Sequence, residues 1–178
     1  CLPVDEDGLS VAALSASGAA VCYITPSHQF PTGVTMPAGR RAELLHWAAR
    51  RPGERYLIED DYDSEFRYQS RPIPSLQSID RQGRVIYMGT FSRSVAPALR
   101  ISYMVLPEPL LQRYRESYRG YSSTVSGFEQ AVLRQFMLEG HFETHVNRMR
   151  IYYRSRRQCL VDALEPLSPW MDILGQPA

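Results

Sequence analysis

The sequence predicts an α/β fold, a mostly parallel sheet flanked by helices, and three observations carry that expectation. Residues 20–24, 56–58, 85–88 and 101–105 are short, nearly continuous apolar runs, the pattern of strands buried on both faces. A helical pattern over 37–51 separates the first two, and strand–helix–strand at this length is a right-handed crossover between parallel strands. The second run leads straight into Glu59, Asp60, Asp61, Asp63 and Glu65. That puts carboxylates at the C-terminal end of a buried strand, where open α/β sheets hold their ligands.

The remaining elements follow in order. Strand 20–24 leaves through Pro26, Pro31 and Gly33, a turn whose chemistry explains His28 as an ordinary polar loop residue, so no role is assigned to it. The helix over 37–51 has Thr35 as its expected cap, Pro37 in its first turn, Leu44, Leu45 and Ala48 as its apolar stripe, and Pro52-Gly53 as its stop. After strand 101–105 the pattern turns helical. Leu110, Tyr114 and Tyr118 repeat every four residues up to Gly120. Ser126 and Glu129 have capping-box spacing and open a helix to about residue 139, closed by Gly140. A longer helix over 142–164 ends before Pro166 and Pro169. The chain opens abruptly on Cys1-Leu-Pro and stops soon after Asp172-Ile-Leu, which reads as a piece of a longer protein.

At 178 residues the chain is long enough for one domain with a real core. A net charge of +1 supplies no global attraction to nucleic acid or membrane. No apolar run reaches membrane-spanning length, and the start lacks the basic and apolar regions of a secretion signal. Cys1, Cys22 and Cys159 have no metal-ligand spacing and leave an odd thiol, which points to a reduced, cytoplasmic setting. All 20 basic residues are arginine; the chain contains no lysine.

Three readings compete for the acidic strand end: a solvated loop, a divalent-cation site using the Asp61-x-Asp63 spacing, or one buried carboxylate paired with a cationic ring nitrogen. Hard cations need several oxygens, which the segment has. No nucleotide-binding segment accompanies the pair, however, and a carboxylate buried at a strand edge needs a positive partner. About thirty residues on, strand 85–88 runs into Gly-Thr90-Phe-Ser92-Arg93-Ser, with Arg100 seven residues after Arg93. Thr90, Ser92 and nearby amides can donate to phosphate oxygens, Arg100 can add a fork of charged hydrogen bonds, and Pro97 keeps the segment irregular. Two strand ends of opposite charge fit a ligand with a cationic part and an anionic part, such as a phosphorylated heterocycle. Arg148, Arg150, Arg154, Arg156 and Arg157, interleaved with Tyr152 and Tyr153, read as a solvated or interdomain face more readily than as a nucleic-acid surface.

Three segments in order, Thr-Pro-Ser-His-Gln-Phe-Pro-Thr-Gly-Val-Thr-Met, Ile-Glu-Asp-Asp-Tyr-Asp-Ser-Glu-Phe-Arg-Tyr and Gly-Thr-Phe-Ser-Arg-Ser-Val-Ala-Pro-Ala-Leu-Arg, resemble the fold-type-I pyridoxal-phosphate aminotransferases. More closely, they resemble the aminotransferase-like effector domain of MocR/GabR-type regulators in the GntR superfamily. The resemblance spans nearly the whole chain. It implies that residues 1–145 are the second half of the large domain, and that 146–178 are the long helix and start of a small C-terminal domain. It implies pyridoxal 5'-phosphate as cofactor, with Asp60 on the ring nitrogen, Tyr62 on the ring hydroxyl, and Ser92, Arg100 and more weakly Thr90 on the phosphate. Phe30 stands where many aminotransferases carry Asn, as in the regulators.

In the resembled family, position 93 holds the lysine that forms a Schiff base with the cofactor. Here it is Arg93. A lysine amine can be deprotonated and attack an aldehyde; a guanidinium stays protonated and cannot. The resemblance therefore implies non-covalent cofactor binding and failure of ordinary transamination. It further implies a small amino compound as effector, a homodimer in the full-length protein, DNA contact only through an upstream winged-helix domain, and no metal or membrane partner. The alternatives are a fragment of a free-standing aminotransferase, a metal-dependent glycosyltransferase using Asp61 and Asp63, or a truncated product without a ligand.

Overall fold

Four strands form the sheet that the apolar runs predict. The structure, a computed structural model, describes residues 1–50, 55–66 and 73–171. In chain order a small hairpin, β1 (Val4–Asp5) and β2 (Gly8–Leu9), precedes α1 (Val11–Ala16), β3 (Val21–Ile24), α2 (Ala38–Ala49), β4 (Tyr56–Asp61), α3 (Leu76–Ile79), β5 (Val85–Thr90) and α4 (Phe91–Ser94). Then come β6 (Ser102–Val105), α5 (Glu108–Ser117), α6 (Gly127–Leu138) and α7 (His141–Leu164). The sheet order is β3-β4-β5-β6. The first three strands are parallel and β6 is antiparallel to β5. Residues 91–101, which join β5 to β6, are too few for a crossover helix, so the chain folds back beside the strand it has just left.

Register sorts every side chain to one of two faces. Cys22 pairs with Leu57 and Ile24 with Glu59, while Leu57, Glu59 and Asp61 pair with Val85, Tyr87 and Gly89. This face carries the core: Cys22, Ile24, Leu57 and Val85 pack with Leu44, Trp47 and Ala48 of α2, Leu14 of α1 and Leu76 of α3. Gly89 lies opposite Tyr103 on β6. A Cβ there would come within 2.4 Å of the Tyr103 ring, so glycine lets that ring lie across the strand, 5.2 Å from the Phe91 ring.

Two capping expectations need correction. Pro37, not Thr35, is the N-cap of α2, and it caps with no side chain. Thr35 lies two residues too early and donates its hydroxyl to the Ser27 carbonyl at 3.0 Å. Ser126 does hold the N-cap position of α6, but its hydroxyl makes no cap hydrogen bond, because this exposed helix start has water for its first amides. The sequence gives no sign of the single-turn helices α3 and α4, since four residues carry no periodicity. The expected stop at Pro52-Gly53, Arg67 and Tyr68 of the acidic motif, and Asp172 lie outside the described residues.

Helix α7 is continuous across residues 145 and 146. It is anchored by buried Val146, by Phe142 against Phe91 and Tyr153 against Phe66, and by Arg150 Nε donating to the Glu65 carbonyl at 2.5 Å. Part of the arginine-rich face is therefore a packing face. Among the described residues no helix is long and apolar enough to cross a membrane.

Candidate functional site

The pleat of β4 divides the acidic run into two environments. Glu59 is fully buried, and its oxygens accept from the Leu76 and Gln77 amides of α3, each at 2.9 Å. Arg41, also buried, stands 3.9 Å from Glu59 Oε1 and donates to the carbonyls of Met36, Pro74 and Pro26 at 3.1, 2.9 and 3.0 Å. Burial raises the Glu59 carboxyl above its ordinary range, opposed by the two amides and Arg41. Asp61 faces the same way, accepting from Ser64 Oγ at 2.6 Å and Tyr87 Oη at 2.8 Å. Burial and that hydrogen bond push the Tyr87 phenol far up.

Asp60 points to the other face and opens onto a cavity of about 680 Å³ that Tyr23, Phe30, Tyr62 and Arg93 also line. Tyr23 pairs with Ile58 across the sheet. Asp60 is therefore its diagonal neighbour, and the Tyr23 hydroxyl donates to Asp60 Oδ2. Partial burial first, then the Asp60 hydrogen bond and charge, push the Tyr23 phenol up to about 12. Tyr62 donates its hydroxyl to the His28 carbonyl at 2.7 Å, and the Arg93 guanidinium lies 4.9 Å from the centre of its ring. Burial and the nearby Asp63 charge raise the Tyr62 phenol, and Arg93 opposes them.

Asp63 joins the loops after β3 and β4 to α4. One oxygen meets His28 Nδ1 at 2.6 Å and the other meets Arg93 Nη1 at 3.4 Å. The two carboxylates required by a glycosyltransferase reading thus take different partners, Asp61 among Ser64 and Tyr87, Asp63 between His28 and Arg93. Among the described residues no group of three His, Cys, Asp or Glu could hold a metal ion.

On the neighbouring strand Asp60 pairs with Met88, so Thr90, two residues on, lies on the same face. The Thr90 hydroxyl caps α4, accepting from the Ser92 amide at 3.2 Å, and donates to the Ile101 carbonyl at 3.3 Å. Ser92 and Arg93 line a second cavity of about 460 Å³ together with His28 and Asp63. Arg100 is exposed, with a left-handed backbone at φ 50°. The structure thus places Asp60, Tyr62 and Arg93 on one cavity and Ser92 and Arg93 on the second; Thr90 and Arg100 line neither. Tyr23 and the His28–Asp63 pair escaped sequence reasoning. A tyrosine inside an apolar strand needs a partner for its hydroxyl, and that was the available signal.

The sequence profile of the class I and II aminotransferases matches residues 4–175. The chain is 46% identical over 164 residues to YdeL, an uncharacterized HTH-type transcriptional regulator of Bacillus subtilis (strain 168), covering 92% of this chain and 35% of that protein. It is 38% identical over 173 residues to MocR of Rhizobium meliloti, a probable rhizopine catabolism regulatory protein, covering 97% of this chain and 35% of that protein. The chain therefore spans about a third of the length of the curated relatives it matches. Among solved structures it superimposes on the Pyrococcus horikoshii kynurenine aminotransferase, crystallised with PMP, at a TM-score of 0.82 and 32% identity, covering 92% of this chain and 42% of that one.

Proposed function

The chain belongs to the class I and II aminotransferase family, and from that premise we propose that it is the pyridoxal-phosphate-binding, effector-sensing part of a MocR/GabR-like transcriptional regulator. On this reading Arg93 occupies the position of the family's Schiff-base lysine, the cofactor is held without a covalent bond, and transamination does not occur. DNA contact belongs to an HTH module elsewhere in a longer homodimeric protein, and a small amino compound is the effector.

The observation that carries the reading is the placement of Asp60. Its carboxylate faces a cavity with one oxygen held by Tyr23, while both neighbours on the strand point into the core. A carboxylate so held fits a cationic ring nitrogen. Tyr62, whose hydroxyl proton goes to the His28 carbonyl, keeps its oxygen available as an acceptor for a ring hydroxyl. Ser92 and Arg100 would serve the phosphate, with Thr90 contributing through its cap on the Ser92 amide. When bound, the cofactor supplies an electron-withdrawing ring, and Asp60 keeps the ring nitrogen protonated. Arg93 stays cationic throughout, because a guanidinium does not release its proton in proteins. It therefore orients and neutralises but cannot accept a proton or attack a carbonyl. A free-standing aminotransferase, the rival reading, needs an amine at this position.

The test is a spectrophotometric titration of the full chain with pyridoxal phosphate, followed by dialysis and by mass spectrometry after borohydride reduction. The expected result is saturable binding that dialysis removes, with no mass increase, and a covalent increase of one cofactor in Arg93→Lys. Failure of both proteins to bind would overturn the reading.

A further inference from the structure

The second cavity combines polar and apolar groups, of which the cofactor reading uses only Ser92 and Arg93. Arg93, Ser92, His28, Asp63 and His145 supply its polar lining, and Phe66, Met149 and Tyr153 supply apolar lining. Phe66 is buried and meets the Tyr153 ring edge-on at 5.2 Å, so the apolar lining is formed where α7 packs on the loop after β4. A space of about 460 Å³ lined by both polar and apolar side chains suits a small organic ligand.

The charges decide which ligand. Each Asp63 oxygen already holds one partner, His28 Nδ1 at 2.6 Å and Arg93 Nη1 at 3.4 Å. An incoming amine would have to share a carboxylate oxygen with one of them, since each oxygen accepts at most two hydrogen bonds. Arg93 is in the opposite condition. Its guanidinium carries five N–H donors, only Nη1 is engaged with Asp63, and the side chain is 61% exposed. A carboxylate can therefore take unused N–H groups of Arg93 without breaking the Asp63 contacts. His28, pinned through Nδ1, turns its other ring nitrogen away from Asp63.

We propose that this cavity is a binding site for a small carboxylic acid with an apolar body, its carboxylate on Arg93 and its hydrocarbon against Phe66, Met149 and Tyr153. Arg93 lines both cavities, so an acid drawing it away from the Tyr62 ring alters the wall that faces Asp60. As a binding site the proposal stands alone; as the effector site of a cofactor-loaded regulator it rests on the reading above.

The experiment is isothermal titration calorimetry of the full chain, without cofactor, against 3-phenylpropionate, its uncharged amide and phenethylamine. The acid is expected to bind about tenfold or more tightly than the amide, the value of a charge-assisted contact, and more tightly than the amine. Arg93→Gln is expected to erase the acid's advantage while leaving the amide unchanged; this exposed substitution leaves the core intact. Met149→Trp, which fills space against the apolar lining, is expected to weaken acid and amide alike, with circular dichroism confirming that it folds. Equal binding of acid and amide, survival of the preference in Arg93→Gln, or no binding at all would overturn the proposal. Cofactor binding measured by absorbance on the same preparations separates the two claims. Acid binding without cofactor binding sinks only the cofactor reading, and the reverse sinks only this one.

Discussion

Glu59 and Asp60 are consecutive carboxylates on one strand, and their surroundings share almost nothing. Both Glu59 oxygens are held by helix α3 amides with the buried Arg41 alongside. Asp60 has one oxygen on Tyr23 and otherwise faces a cavity. The pleat alone makes this difference, because successive side chains on a strand point to opposite faces. The comparison teaches that the acidic run is two structures in one: a bolt that ties strand to helices, and a ligand face built on it. Asp61 shares the Glu59 face but is tied to Ser64 and Tyr87 rather than to a helix, and Asp63 belongs with the second.

The sharpest way to break the bolt is Arg41→Ala. It leaves Glu59 as a buried charge without its cationic neighbour and removes donors to the carbonyls of Pro26, Met36 and Pro74. Losing one partner of a buried pair costs about 3–5 kcal/mol, a large share of the about 5–15 kcal/mol that typical domains have in hand. Urea denaturation should show that loss. An unchanged midpoint would mean that Arg41 and Glu59 do not bear on folding.

The division was only partly legible beforehand. All four central strands could be read from apolar runs, and the reversal at β6 follows once residues 91–101 are seen to be too short for a crossover. Which acidic residue faces which side was not readable from the apolar part of β4. A strand flanked by apolar residues on both sides loses its two-residue alternation, so Leu57 and Ile58 give no cue to the faces of Glu59 and Asp60. The His28–Asp63 contact joins residues 35 apart, and only the adjacency of β3 and β4 brings them together. The Thr90 hydroxyl, a candidate phosphate donor by sequence, also caps α4, a use that depends on a one-turn helix no periodicity reveals.

On the ligand face the expected effects are smaller for folding and larger for binding. On the proposed reading, Asp60→Asn removes the charge opposite a protonated ring nitrogen while preserving shape, so pyridoxal-phosphate affinity is expected to drop about tenfold or more, since one such charged hydrogen bond contributes about 1.5–3 kcal/mol. The urea midpoint should stay close to that of the unmodified chain, because Asp60 contributes nothing to the core cluster. If Asp60→Asn unfolds the chain as Arg41→Ala does, the contrast between the faces disappears.

The finest test of that contrast is the ionisation of Tyr23. Its phenol is pushed up to about 12 by partial burial and then by the Asp60 hydrogen bond and charge. The folded state thus holds the Tyr23 proton through a range in which the unfolded chain, ionising at about 10, has already released it. The unfolded state binds fewer protons there, so stability falls as pH rises from about 10 to about 12 and is fully present below that window. Asp60→Asn removes the negative charge but not the burial. The Tyr23 ionisation should therefore move down while staying above the ordinary tyrosine value, and the stability window should narrow from its upper end. An NMR titration of ring-labelled tyrosine, assigned through Tyr23→Phe, reads this directly. A Tyr23 ionisation that ignores the substitution would show that the two side chains are not coupled, and Asp60 would lose the contact that orients it toward the cavity.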